Sequence, residues 1–249
     1  MSTQFAETGT LAREAHEFTP HQQVALLARM LAREGYDDHH VGHISVRQPD
    51  DSLLVNPWEL SWDEVRASDV MQIDLSGKVL AGRWDITPAI HLHLALHRRH
   101  PELRVGIHHH PRFGTVWAAA GRIPPAYDQV SSMVRDARIG LLDEFVGSVD
   151  DVTAAERNID AFANADCVFL SNHGVMVVAP NVDRAHLLAV ALERRSRLAW
   201  HVETLGNGRP MPGPQAIALA EGIEKRGTFP HLFSSMARRE IRIDPSVLT

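Results

Sequence analysis

The stretch that most constrains this chain runs from Arg104 to Arg112, RVGIHHHPR: a short apolar run ending in three consecutive histidines and a proline. Read as a strand, it alternates its side chains between two faces, so His108 and His110 project together while His109 points the other way. Two imidazoles at i, i+2 on one face can both reach a single metal ion at about 2.0–2.1 Å. A third candidate, His173, stands in Ser171-Asn172-His173-Gly174, a turn between two further apolar runs. Whether the fold brings these three histidines together decides what the chain can do.

Composition narrows the alternatives. The 249 residues are 44% hydrophobic, which is ample for a core, and the net charge of −6 comes from 25 basic and 31 acidic residues mixed along the chain. With no basic stripe and no aromatic–basic interleaving, nucleic acid is not an expected partner. Cys167 lies inside an apolar run and reads as a buried thiol; being the single cysteine, it has no intrachain disulfide partner. Sixteen histidines is the oddity, although His16, His21, His186, His201 and His231 fall in polar or helical contexts and read as surface or rim residues. The start of the chain, Met1 to Phe18, has no apolar core of the secretory type, and no window approaches about 20 apolar residues. The expectation is a cytoplasmic protein with no membrane span. One domain is expected over residues 19–249, after a loose N-terminal arm at 1–18.

Local patterns place the elements. Thr19-Pro20-His21-Gln22 is a capping box with proline at the first helical position, and Gly35 can close the helix that follows. Val41 to Arg47 alternates as a strand with His43, Ser45 and Arg47 on one face. Leu53 to Asn56 is a second strand, Asn56 to Leu60 a turn, and the stretch from Val70 to Leu80 a hairpin about Ser76-Gly77. Thr87-Pro88 caps a buried helix reaching about His100, on which His93 and His97 stand at i, i+4. Without a glutamate beside His93, a hydrogen-bonded pair is the expectation there. A short helix is expected from Phe113 to Ala120, a short strand or turn over Ile139 to Val146, and a helix from Ala154 to Ala163. Two strands then flank the Ser-Asn-His-Gly turn. A long helix from Val182 to Leu205 stops at Gly206, and a last one runs from Gly213 to Gly227 before a tail that is polar with short apolar pieces.

Three neutral imidazoles leave a divalent ion its full charge and an open position, as in catalytic rather than structural sites. Such an ion is a Lewis acid toward a bound oxygen, suited to an enolate or phenolate. The order Gly42-His43-Ile44-Ser45-Val46-Arg47, Asn56-Pro57, a buried helix, HHHP, and SNHGV before a long helix resembles the class II aldolase/adducin family, from about Thr19 to Leu205. The resemblance implies a single three-layer α/β/α domain, of α/β class, around a central, mostly antiparallel sheet. It also implies a homotetramer with active sites between subunits. His108, His110 and His173 match the family's metal-binding histidines, implying one divalent ion per subunit; zinc and manganese suit imidazole ligands, and so does ferrous iron.

The departures from the family pattern bear on the substrate. Sugar-phosphate aldolases of the family carry Ser-Ser-Glu before the metal strand, and alignment on His93 puts Ala89 at the glutamate. Their phosphate-binding turn is here Trp58-Glu59, whose indole and carboxylate oppose a phosphate dianion, and their asparagine after the glycine is His43. Lacking that glutamate, the chain lacks the usual base for retro-aldol cleavage. The resemblance therefore points to the family's decarboxylase branch, which acts on hydroxylated aromatic or pyridine dicarboxylates. The alternatives are an aldolase for a non-phosphorylated hydroxy-oxo acid and a non-catalytic, adducin-like interaction domain. Candidate proton donors are His43, Tyr127 and His91, and Glu59 is a candidate replacement carboxylate. Arg47 or Arg112 would pair with a substrate carboxylate, with Ser45, Trp58 and His91 as further substrate contacts.

Overall fold

The computed structural model describes residues 17–142, 159, 162, 164–225, 229 and 231–249. The expected arm and most of the helix expected at 154–163 lie outside the described residues. Thr19 caps the first helix as its sequence requires: its hydroxyl takes the Gln22 N–H while the Gln22 side chain takes the Thr19 N–H. That helix, α1 (Pro20–Arg33), buries Val24 through Leu31 and is followed by Gly35 at φ 98°, a left-handed backbone suited to glycine.

The centre is one eight-stranded sheet in the order β4-β3-β2-β1-β5-β8-β7-β6. Its strands are β1 (His43–Arg47), β2 (Leu53–Val55), β3 (Met71–Ile73), β4 (Val79–Ala81), β5 (Val105–His109), β6 (Ile139–Leu142), β7 (Cys167–Leu170) and β8 (Gly174–Ala179). Only β6 and β7 pair in parallel; every other neighbouring pair is antiparallel. Short connections join the antiparallel pairs β1–β2, β3–β4 and β7–β8, whereas the parallel pair β6–β7 is joined by a long crossover, as parallel neighbours require.

The helices cover both faces. On one side α1 packs with α3 (Gly114–Ala119), α4 (Val182–Leu205) and α6 (Leu232–Ile243) over Ile44, Val46, Val105, Ile107, Val175 and Val177. On the other, α2 (His91–Arg99) lies over Met176, Val178, Val168 and Leu170. Alternation along β5 and β8 thus delivers one set of side chains to each layer. The remaining helix, α5, is Gly213–Lys225.

Two expectations are corrected here. The helix that begins at Gly213 is not the last: α6 follows, its Phe233 and Ala237 form an apolar stripe that docks on α1, and Arg33 pairs with the buried carboxylate of Glu240. His186 is no surface residue. It is fully buried in α4 with its ring 5.6 Å from that of Phe233, because the face of α4 it occupies is covered by α6.

Candidate metal centre

The histidine strand and the Asn-His-Gly turn meet at one end of the sheet. On β5, His108 sits opposite His43 of β1 and Met176 of β8, so it faces the α2 side, with His110 just beyond the strand end. The turn before β8 reaches them because Asn172 takes a left-handed φ of 55° and Gly174 passes close to the end of β5. A Cβ on Gly174 would stand 2.5 Å from the His109 carbonyl oxygen, so only glycine allows this approach. One nitrogen each of His108, His110 and His173 falls within 4.8 Å of the other two.

The donor set fits a divalent cation. His108 Nδ1 donates to the Val175 carbonyl at 3.0 Å and His110 Nδ1 to the Asp38 carboxylate at 3.0 Å, which leaves both Nε2 lone pairs free. His110 Nε2 is buried and has no hydrogen-bond partner, as expected of an atom aimed at a ligand. Burial, reinforced by the charges of neighbouring imidazoles, holds His108 well below the ordinary histidine range and His173 down to about 4. Both rings are therefore neutral near pH 7, the state a metal requires. His109 goes the other way, against Trp62 and Tyr36 on the opposite face of the sheet.

These histidines open onto a cavity of about 290 Å³, completed by Val41, Gly42, His43, Trp58, Thr87, Pro88, Ala89 and Leu92. Among these described lining residues there is no carboxylate and no lysine or arginine. Asn56 shapes the entrance to β1: its side-chain oxygen takes the Ile44 N–H at 2.7 Å and its amide donates to the Gly42 carbonyl. His43 is held through Nε2, 3.0 Å from the Thr87 hydroxyl, while its buried Nδ1 has no partner. Burial is the main cause of a His43 pKa well below the ordinary range, with the charges of His93, His110 and His173 adding to it.

The other sequence candidates lie elsewhere. Ser45 is fully buried and its hydroxyl is shared between His93 Nδ1 at 2.6 Å and His97 Nε2 at 2.7 Å, so it braces α2 on the sheet and does not line the cavity. Arg47 holds Asp51 and the His97 carbonyl at the far end of β1. Arg112 is exposed and paired with Asp37. Glu59 accepts the Asp85 N–H beside Trp58, and His91 begins α2; neither lines the cavity. Tyr127 packs against the main core. Two residues were not singled out from sequence. Thr87 reads in sequence as a helix cap, yet its hydroxyl serves both the Ala89 N–H and His43. Asp38 carries a faint signal, the titratable run Asp37-Asp38-His39-His40 just before Val41-Gly42.

The chain belongs to the class II aldolase and adducin family: residues 22–200 match the Class II Aldolase and Adducin N-terminal domain. It is 28% identical over 197 residues to a 3,4-dihydroxyphthalate decarboxylase of Arthrobacter keyseri, spanning 74% of this chain and 79% of that one. It is 26% identical over 209 residues to the meiotically up-regulated gene 14 protein of Schizosaccharomyces pombe (strain 972 / ATCC 24843), covering 81% and 80%. The structure superposes with a TM-score of 0.81 on an L-fuculose 1-phosphate aldolase from Glaciozyma antarctica PI12, at 22% identity and covering 92% of this chain and 91% of that one. At that identity the likeness is one of fold.

Proposed function

We propose that this protein is a divalent-metal-dependent carbon–carbon lyase that decarboxylates a hydroxylated aromatic carboxylic acid. The observation that carries the choice of reaction is the wall around Ala89: a cavity with three convergent imidazoles and no carboxylate among its described lining residues. Retro-aldol cleavage needs a base to take the proton of a substrate hydroxyl, and a carboxylate is the group that position would supply. Loss of CO₂ needs no such base. The relative from Arthrobacter keyseri, a decarboxylase of a dihydroxyphthalate, supports the same choice.

His108, His110 and His173 would hold the cation, zinc and manganese both suiting the donor set. A cation there supplies Lewis acidity, which stabilises the electron pair left when a carbon–carbon bond breaks. The chain's own residues do the rest. Trp58 and Leu92, with Val41 and Pro88, offer apolar walls that suit an aromatic ring, and about 290 Å³ suits a single-ring substrate. Ala89 leaves room for the departing carboxylate. As CO₂ leaves, the ring carbon it vacates must take a proton. His43 would relay it: the Thr87 hydroxyl, already accepting from Ala89, has its hydrogen free for His43 Nε2, so the neutral ring carries its own proton on Nδ1, and as that proton passes to carbon Nε2 would take the Thr87 hydrogen, which solvent restores.

The reading includes several copies per assembly, supported by the exposed side chains of Val116 on α3 and of Trp200 and Leu205 on α4. No helix among the described residues is long and apolar enough to cross a membrane. The test is a metal-replete screen of hydroxylated aromatic mono- and dicarboxylates with CO₂ detection. Release of an aldehyde or of pyruvate from a hydroxy-oxo acid, with no CO₂ from any aromatic acid, would replace this reading with an aldolase.

A further inference from the structure

The loop between α1 and β1 is tied to the end of β5 at three points. The Arg112 N–H donates to the Gly35 carbonyl at 3.1 Å, the Arg112 guanidinium pairs with Asp37, and Asp38 Oδ2 accepts from His110 Nδ1 at 3.0 Å. The other Asp38 oxygen lies 2.9 Å from Nδ1 of the exposed His39, whose left-handed φ of 53° turns the loop at that point. His108, by contrast, is backed by a neutral acceptor, the Val175 carbonyl. Of the two strand histidines, only His110 has a negative charge behind it.

We propose that Asp38 is a positioning residue of the candidate metal centre: it locks His110 in the Nδ1–H form, aims Nε2 into the cluster and strengthens that nitrogen as a ligand. The inference rests on the reading that the histidine triad holds a cation. A carboxylate hydrogen-bonded to a ligand imidazole raises its basicity and fixes its ring. In this chain it supplies negative charge through the His110 ring and a hydrogen bond, where a carboxylate at position 89 would supply it by direct contact. The three imidazoles contribute no charge of their own, so Asp38 is the nearest anion hydrogen-bonded to any of them among the described residues.

The experiment compares zinc affinity, by competition with a chromophoric chelator, in the wild type, Asp38→Ala, Asp38→Asn and Asp37→Ala. Nitrogen-15 spectra of the histidine rings in the metal-free proteins report the tautomer of His110. Asp38→Ala is expected to bind zinc on the order of 10- to 100-fold more weakly and to lose the fixed Nδ1–H form. Asp38→Asn, which keeps an acceptor oxygen, recovers part of both, and Asp37→Ala stays within about twofold of the wild type. Wild-type affinity in Asp38→Ala overturns the proposal alone. So does an equal loss in Asp37→Ala, which would make the loop's integrity the cause. A wild type that takes up no zinc sinks the metal reading and this proposal with it.

Discussion

The ring of His109 lies 4.4 Å from the indole of Trp62, edge to face, on the side of the sheet away from His108 and His110. The middle histidine of the triplet thus belongs to the packing, and Gly42 is fitted to it. A Cβ on Gly42 would stand 2.0 Å from His109 Cδ2, and its φ of 111° disfavours any side chain. Gly42→Ala is expected to destabilise the fold by roughly 2–4 kcal/mol, through backbone strain and overpacking together. Urea unfolding measures it, and a change within about 0.5 kcal/mol, the range of an ordinary surface substitution, would show that the loop absorbs the methyl group.

His173 approaches the cluster from a separate turn, so its removal tests the centre without disturbing β5. The wild type is expected to retain one metal equivalent after a chelator wash and His173→Ala to retain none. Elemental analysis reads the result; a retained equivalent in the variant would place the ion elsewhere.

Ala89 is where a carboxylate would change the chemistry. Ala89→Glu is expected to bind metal more tightly, since it adds an anionic oxygen beside the imidazoles. It should slow decarboxylation at least about tenfold, about 1.4 kcal/mol of barrier, because the new anion occupies and repels the position of the substrate carboxylate. Undiminished CO₂ release would mean that the substrate does not use that space.

The buried histidines set the acid limb of stability. Burial lowers His93, His97 and His109 to about 3, and His173 and His186 to about 4, against an ordinary 6.5. Below pH 6.5 the unfolded chain takes up protons that the folded one refuses, so stability is complete above that pH and falls as the solution is acidified. Glu193 acts in the opposite sense: burial raises it to about 7 despite N–H bonds from Phe113 and Gly114, so its contribution falls as pH rises from about 4.5 to 7. Five groups outweigh one. Neither nitrogen of His186 has a partner. His186→Leu should therefore be neutral or stabilising at pH 7 and should reduce the loss between pH 6.5 and 5 by roughly 1–2 kcal/mol. Guanidinium unfolding across that range checks it; an unchanged slope would show that His186 takes up its proton in the folded state.

Much of this was legible along the chain. Period-two alternation separated His109 from its neighbours, and the capping box at Thr19 and the stop at Gly206 are local chemistry that packing did not override. What local pattern cannot express is which partner a polar group will find. Ser45 shares a face with His43, as expected for i, i+2, but α2 brings His93 and His97 down on its hydroxyl and removes it from the cavity. Arg47 and Arg112 each found a carboxylate nearer than any substrate. The helix over residues 232–243 shows its stripe in sequence, yet only contact with α1 reveals why Glu240 can be buried: Arg33 is waiting for it.

By itself, then, the sequence determined the strand, its alternation and three histidines of the right type, because those depend on backbone geometry and residue chemistry within a few positions. Only the tertiary structure decided that His173, on a turn made possible by Gly174, returns to the end of β5. The same folding set Asp38 behind His110 and left the wall at Ala89 without a charge. Those are meetings between segments far apart in the chain, and their energies exist only once the sheet has assembled.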